Sequence, residues 1–506
     1  MTAPGTAVWF AQHEFRLAWR DWLAMITAGR RRRARTIVLA LLALAALMHA
    51  VAFSMLGRFM PGDAPDKTAL IAITGGVLLS WSLMLSQAME SVTRAFYARA
   101  DLDLILSSPA IAHRVFAVRM GIIALSVAAM AMLLAAPFIN VLVWQDGGRW
   151  LAAYAVVAAM GAAAAALAVA LTDALFRTIG PQRTRLVAQV VAAVIGAAFV
   201  IGVQAAAILS YGTLSRLAVL QSEALAALAP NAGNILWWPA RAMLGDASAL
   251  AAVLAASALL LGAAIVMFAP RFGDNAIAAA GASPTATRHR RPAGFSPTSP
   301  RRALRHKEWT LLLRDPWLAS QTLMQLLYLL PPALMLWRTF ADGSGGFVLV
   351  VPVLVMAAGQ LAGGLAWLAI SGEDAPDLVA TAPVPADHVV RAKVEAVMGG
   401  MAIVFAPFLA ALALVSPLHA VVAAAGIAAA AGGAMAIQLW FRAQAKRSHF
   451  RRRQTSSRMA TFAEAFSSIT WAATAALAAA GTWLAVFPGL VGLGILGGAR
   501  MISPRQ

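Results

Sequence analysis

The sequence predicts an all-α fold, a polytopic helical membrane protein of about twelve transmembrane helices arranged as two parallel six-helix repeats. Three observations predict it. Hydrophobic residues make up 61% of the 506-residue chain and charged residues only 12%, with a mean hydropathy of +0.76, whereas a soluble domain carries roughly 25% charged residues. Apolar runs of roughly 20 residues, the length that crosses a bilayer, follow one another along the chain. Two polar stretches also occur twice, once in each half.

Residues 1 to 36 are too long and too mixed for the leading region of a signal peptide, so the N-terminus is expected to be retained. Within them Phe15, Trp19, Trp22 and Ile26 recur at three- and four-residue steps, with Glu14, Arg16, Arg20 and Asp21 off that face. This pattern predicts a helix lying in the membrane interface, or a solvated helix packed on loops. Spans are then expected over 37 to 56, 68 to 89, 118 to 144, 150 to 176, 186 to 210 and 248 to 269. A linker over 272 to 305, rich in Gly, Ala, Ser, Thr, Pro and Arg, separates the first repeat (1 to 271) from the second (306 to 506) and reads as a flexible basic tether. The second set of spans is expected over 320 to 338, 347 to 371, 392 to 415, 418 to 441, 467 to 486 and 488 to 503. Between spans five and six the first half has a long segment, 211 to 247, with Tyr211, Trp237, Trp238 and Arg241, read as short interfacial or re-entrant helices or as an ordered cap. The matching turn of the second half is expected at Phe487-Pro488-Gly489.

The first repeated stretch is Glu14-Phe15 followed by Arg20-Asp21 and Trp22, matched by Glu308-Trp309 followed by Arg314-Asp315 and Trp317, with the Glu-to-Arg-to-Asp spacing identical. The second follows span two of each half. Asp103-Leu104 precedes Pro109, then Arg114 and Arg119, while Asp377-Leu378 precedes Pro383, then Lys393. In both copies a cation stands ten residues beyond the proline. Ser108 and Pro109 suit a helix start, and Thr381, Pro383, Pro385 and Asp387 supply similar signals. Each loop is therefore expected to be a short helix, a break at proline and a basic approach to span three. It reads as a knob that transmits force from a soluble partner, or as an ordinary tight connector.

Charge sets the expected orientation. Lys and Arg number 40 against 21 Asp and Glu, and the clusters Arg30 to Arg33, Arg288 to Arg302 and Arg451 to Arg453 fall where a positive-inside bias places them, with both termini cytoplasmic. That distribution accounts for the excess without a nucleic-acid partner. No cysteine occurs, which excludes disulfides, Cys-ligated zinc and thiol nucleophiles. No Walker loop, HExxH or GxSxG run is present, so an enzyme with its own ATPase motifs is not expected. Of the eight histidines only His49 lies well inside a span, where structural hydrogen bonding is the expected role. Asp173 is spaced to pair with Arg177 one turn on. Gln87, Asn140, Gln189, Gln204, Gln321, Gln325, Gln360 and Gln438 are expected to bond helix to helix. The acidic residues Glu90, Asp173 and Glu395 stand near span ends, which leaves no evident ion-coupling group at mid-membrane.

The chain resembles the type-2 ATP-binding-cassette (ABC) transport permeases. The resemblance rests on the Glu14-to-Trp22 and Glu308-to-Trp317 helices, on six spans per half, on the Asp103-Leu104-Pro109-Arg114-Arg119 and Asp377-Leu378-Pro383-Lys393 patterns, and on the long outer segment between spans five and six. It implies two fused six-span units forming the membrane permease of an ABC exporter in the bacterial inner membrane. It further implies that the loops between spans two and three dock on a separate ABC ATPase, present in two copies, which holds the ATP and Mg; no cofactor is implied in this chain. Membrane lipid is the remaining expected partner, and no substrate is implied. The alternatives are an ion-coupled secondary transporter with a parallel repeat, and a non-transporting scaffold whose basic linker recruits partners or anionic lipid.

Overall fold

The structure, a computed structural model, describes residues 7–27, 34–56, 67–97, 112–211, 222–281, 299–314, 347–371, 383–441 and 458–503, with single positions between 323 and 335 and at 379 and 381. Every element among the described residues is a helix, and nine of these helices are long and apolar enough to cross a membrane. This is an all-α, multi-pass membrane protein. The chain divides into two compact units, Met1–Val200 with Ser215–Thr287, and Ile201–Leu214 with Arg288–Gln506.

The first unit contains α1 (Ala7–Thr27), α2 (Ala34–Leu56), α3 (Lys67–Tyr97), α4 (Ala112–Asp146), α5 (Ala152–Ile179) and most of α6 (Pro181–Tyr211). After the short helices α7 (Glu223–Leu228) and α8 (Trp238–Met243) comes α9 (Ala247–Gly281). The central helix is α5, packed against α3, α4 and α9. Its run of alanines and Gly161 is what permits this. A Cβ at Gly161 would meet the Ala124 carbonyl at 2.9 Å and the Ala128 Cβ at 2.8 Å, so α4 and α5 touch backbone to backbone. In a bilayer, where lipid tails solvate Leu as well as a neighbouring helix does, such close approach holds the bundle together. The large residues accordingly point outward, among them Leu133, Leu134, Leu259 and Val266.

Residues 222–246, before α9, pack as an ordered cap. Trp237 is buried beside Leu70 and Ile71 at the start of α3, and its indole N–H donates to the carbonyls of Pro230 (3.3 Å) and Asn231 (3.1 Å). Asp246 opens α9, accepting from the Ser248 hydroxyl at 2.6 Å and the Ser248 and Ala249 amides at 3.0 and 3.1 Å. These are the donors a helix start leaves free.

The second unit contains α10 (Pro300–Arg314), α11 (Phe347–Ser371), α12 (Ala386–Val415), α13 (Pro417–Phe441), α14 (Arg458–Ala479) and α15 (Val486–Ile502). Here α11 is central, packed on α12, α13 and α14. The expected spans 347 to 371 and 418 to 441 coincide with helices to within a residue. Two expectations need correction. The span placed at 467 to 486 is a helix from Arg458 to Ala479, because Arg458 and Glu464 are carried inside the helix rather than in the preceding loop. The turn placed at Phe487-Pro488-Gly489 lies within α15; the chain reverses instead at Ala480–Thr482, where Gly481 adopts φ +70°, a conformation glycine takes without steric cost. The span expected at 320 to 338 falls mostly outside the described residues.

Candidate functional site

The repeated stretches converge on the helix ends that bracket residues 98–111 and 372–385. Asp103, Leu104, Pro109, Asp377 and Leu378 lie outside the described residues, as do Asp315 and Trp317 and the side chains of Asp21, Trp22 and Arg314. The stems around both loops are described, and they follow one pattern.

In the second unit the stem is built around α10. Pro300 opens this helix with the Ser299 carbonyl accepting from the Arg302 and Ala303 amides, and Arg301, Arg305, Glu308 and Leu312 recur along one face. That face lies on α12. Arg301 approaches His388 at 3.4 Å, Arg305 pairs with Glu395, and Leu312 enters the core. Glu308 is completely buried, and both its oxygens accept from the Lys393 ammonium at 2.9 and 3.0 Å. The third Lys393 proton goes to the Ala369 carbonyl at 2.5 Å. All three donors of the ammonium are used. Ala369 stands in the last turn of α11, where carbonyls lack helical partners and the dipole favours a cation. Lys393 therefore ties α10, the end of α11 and the start of α12 together. Gly399 makes room for this arrangement, since a Cβ there would meet the Trp309 ring at 3.0 Å.

The first unit repeats the geometry with different chemistry. Arg119 lies along α4 where Lys393 lies along α12, and its guanidinium donates to the Ala95 carbonyl in the last turn of α3 at 3.5 Å. Both cations thus reach a carbonyl 24 residues earlier in the chain. The helices they join are separated alike, Tyr97 to Ala112 and Ser371 to Ala386. The stem's core, however, is aromatic. Phe96, Phe116, Phe176 and Phe272, from α3, α4, α5 and α9, pack with centroids 5.1 to 5.4 Å apart, and Phe116 and Phe272 are fully buried. As in the second unit, the amphipathic helix that carries the motif glutamate, α1 with Glu14, packs on the helix after the loop.

The remaining nominated residues occupy the surface. Arg114 and Pro383 are exposed at the loop edges, Arg20 is exposed on α1, and Phe15 and Trp19 present an apolar face uncovered by the rest of the unit, as an interface-lying helix requires. Asp173 pairs with Arg177 at 2.6 Å as expected. His49 donates from Nδ1 to its own helix at Ala45 (2.7 Å) and accepts at Nε2 from Asn140 (3.2 Å), which in turn accepts from the Tyr154 hydroxyl (2.6 Å). It belongs to a structural chain of hydrogen bonds across α2, α4 and α5. Gln438 likewise joins helices, donating to Glu464.

Glu464 is the residue that sequence reasoning missed. It lies three residues before the span expected at 467 to 486, yet it faces inward from the second turn of α14 toward Gly363. The available signal was its position three and four residues before Ser467 and Ser468, which places it on their side of the helix. Among the described residues, no group of three or more His, Asp or Glu that could hold a metal is present. Comparisons of the chain with protein families, curated proteins and solved structures find no match.

Proposed function

We propose that this chain is the membrane permease subunit of an ATP-driven exporter, two fused six-span repeats coupled to a separate ABC ATPase through the loops 98–111 and 372–385. The observation that carries the reading is the paired stem. In each unit a cation ten residues past the loop proline binds the carbonyl end of the preceding helix, and the helix that carries the motif glutamate packs on the helix that follows. Force applied between stems joined in this way is delivered to two long helices at once. The Ala-Pro-Phe sequences at Pro137 in α4 and Pro407 in α12 add support for a repeat. They follow the stem cation by 18 and 14 residues, a difference of about one helical turn that keeps the proline on a similar face.

In this reading ATP and Mg reside in the partner, two copies of which serve the two loops. The loops and both termini lie on the cytoplasmic side of a bacterial inner membrane, and nucleotide turnover shifts the units between inward- and outward-facing states. Asp103-Leu104 and Asp377-Leu378 supply partner contacts, while Arg119 and Lys393 hold the loops in place. The test is co-purification of an ATPase with the gently solubilised chain. Replacing Asp103, Leu104, Asp377 and Leu378 by alanine is expected to release the ATPase with membrane insertion intact, and undiminished co-purification would overturn the assignment. A second reading, an ion-coupled transporter, is favoured by one observation, the inward-facing carboxyl of Glu464, and predicts flux driven by an ion gradient without nucleotide.

A further inference from the structure

Three helices of the second unit, α11, α13 and α14, meet along glycines. A Cβ at Gly363 would stand 2.8 Å from a Glu464 oxygen, and one at Gly426 would stand 2.6 Å from Val355. The gap at Gly363 is occupied by the Glu464 carboxyl group, which accepts from the Gln438 amide. One turn further along α14, Ser467 and Ser468 are 1% exposed, and neither hydroxyl has a hydrogen-bond partner among the described residues. A polar seam therefore runs into an otherwise apolar junction.

The charges around it are few. Helix α11 has no ionisable residue. On α13 the only one is His419, at the far end and bonded to Ser416 at 2.6 Å. On α15 it is Arg500, which lies over the Trp440 ring at 5.9 Å. Besides Glu464, α14 carries only Arg458, at its first residue. Residues 442–457, with Arg451 to Arg453, lie outside the described residues. Among the described residues the donor to the Glu464 carboxyl group is the Gln438 amide, and a carboxylic acid brings a donor of its own to such a site.

We propose that Glu464 is a proton-binding site at the α11–α13–α14 junction, taking up one proton on its carboxylate and releasing it when the junction opens to water. The site stands apart from the loop stems and does not depend on the ATPase reading. Its test is labelling of the full-length protein in membranes with a hydrophobic carbodiimide, which reacts with protonated carboxyl groups in apolar surroundings, followed by peptide mass mapping. The expected result is an adduct at Glu464 that falls at least tenfold between pH 6 and pH 9, is lost in Glu464→Gln, and shifts its midpoint in Gly363→Ala. Labelling that is absent throughout would overturn the proposal, since it marks a carboxylate held ionised, as an arginine from 442–457 would hold it. Labelling that is constant over this range would overturn exchange, and protection by sodium but not choline would replace the proton with a metal cation.

Discussion

Lys393→Met tests the stem of the second loop directly. Methionine matches lysine as far as Cε but lacks the ammonium, leaving Glu308, fully buried, without its main counter-charge and the Ala369 carbonyl without its donor. Removing one partner of a buried ion pair costs about 3–5 kcal/mol. Lys307 remains 3.5 Å from Glu308 and offsets part of this, so about 3 kcal/mol is expected, or roughly a hundredfold shift at 1.4 kcal/mol per decade. The least costly response is for α10 to lift from α12, because the other polar links between them are exposed, Arg305 with Glu395 and Arg301 with His388, of a kind worth about 0–1 kcal/mol each. The chain contains no cysteine, so a cysteine pair reports without background. Arg301→Cys with His388→Cys, whose native side chains meet tip to tip, is expected to be bridged rapidly by a bifunctional thiol reagent that spans the two lost side chains in the parent, and far more slowly with Lys393→Met. Adding Glu308→Gln removes the orphaned charge and is expected to restore most of the rate. Equal rates in parent and Lys393→Met would refute the latch, and a double variant as slow as the single one would show that the orphaned Glu308 is not the cause.

Two further outcomes follow from the first unit. Gly161→Ala drives a methyl into the Ala124 carbonyl and the Ala128 side chain, neither of which can rotate away, and an overpacked contact of this kind costs about 1–3 kcal/mol. Its melting temperature in detergent is expected to drop, while Gly121→Ala, with nothing within 4 Å of the new methyl, is expected to be neutral or stabilising. Asp246 has its carboxyl held down at about 2, first by the Ser248 hydroxyl and then by the Ala249 amide, with Arg241 adding to both. A depressed value means stabilisation present above the ordinary Asp range near pH 3.9 and lost as pH falls toward 2. Melting curves from pH 5 to pH 2 are expected to show this loss in the parent and a smaller one in Asp246→Asn; identical curves would remove the cap from the account.

The helices were legible because membrane-length apolar runs leave the backbone one economical choice, satisfying its own hydrogen bonds. Boundaries failed where polarity misled. Glu464 and Arg458 looked like loop because a carboxylate normally marks a span's edge, and nothing in the local pattern shows that Gly363, about a hundred residues away, leaves space for one. The site was half legible. Spacing alone singled out Glu308, Arg119 and Lys393, but it presented the cations only as a basic approach to span three, without the contacts that bury Lys393 with all of its donors used. That role depends on a carbonyl 24 residues upstream, a backbone group that no side-chain motif encodes.

The two stems also answer why one loop copy carries a lysine and the other an arginine. Thirteen residues before each loop proline stands Phe96 in one unit and Ile370 in the other, and seven residues after it Phe116 or Val390. Where the aromatic rings fill the junction, the helix ends are fixed by packing, and the cation needs only to reach a carbonyl; the long, always-charged guanidinium of Arg119 does so while remaining partly solvated. Where Ile370 and Val390 leave the junction thinner, the amphipathic helix supplies Glu308, and a compact ammonium fits between that carboxylate and a helix end, where a planar guanidinium would need more room. The first stem should therefore resist changes in charge and fail on loss of a ring, and the second should do the reverse. Phe272→Ala removes a ring that touches both Phe96 and Phe116, at about 3–5 kcal/mol, and is expected to destabilise the first unit while thiol cross-linking between Arg301→Cys and His388→Cys in the second proceeds at the parent rate.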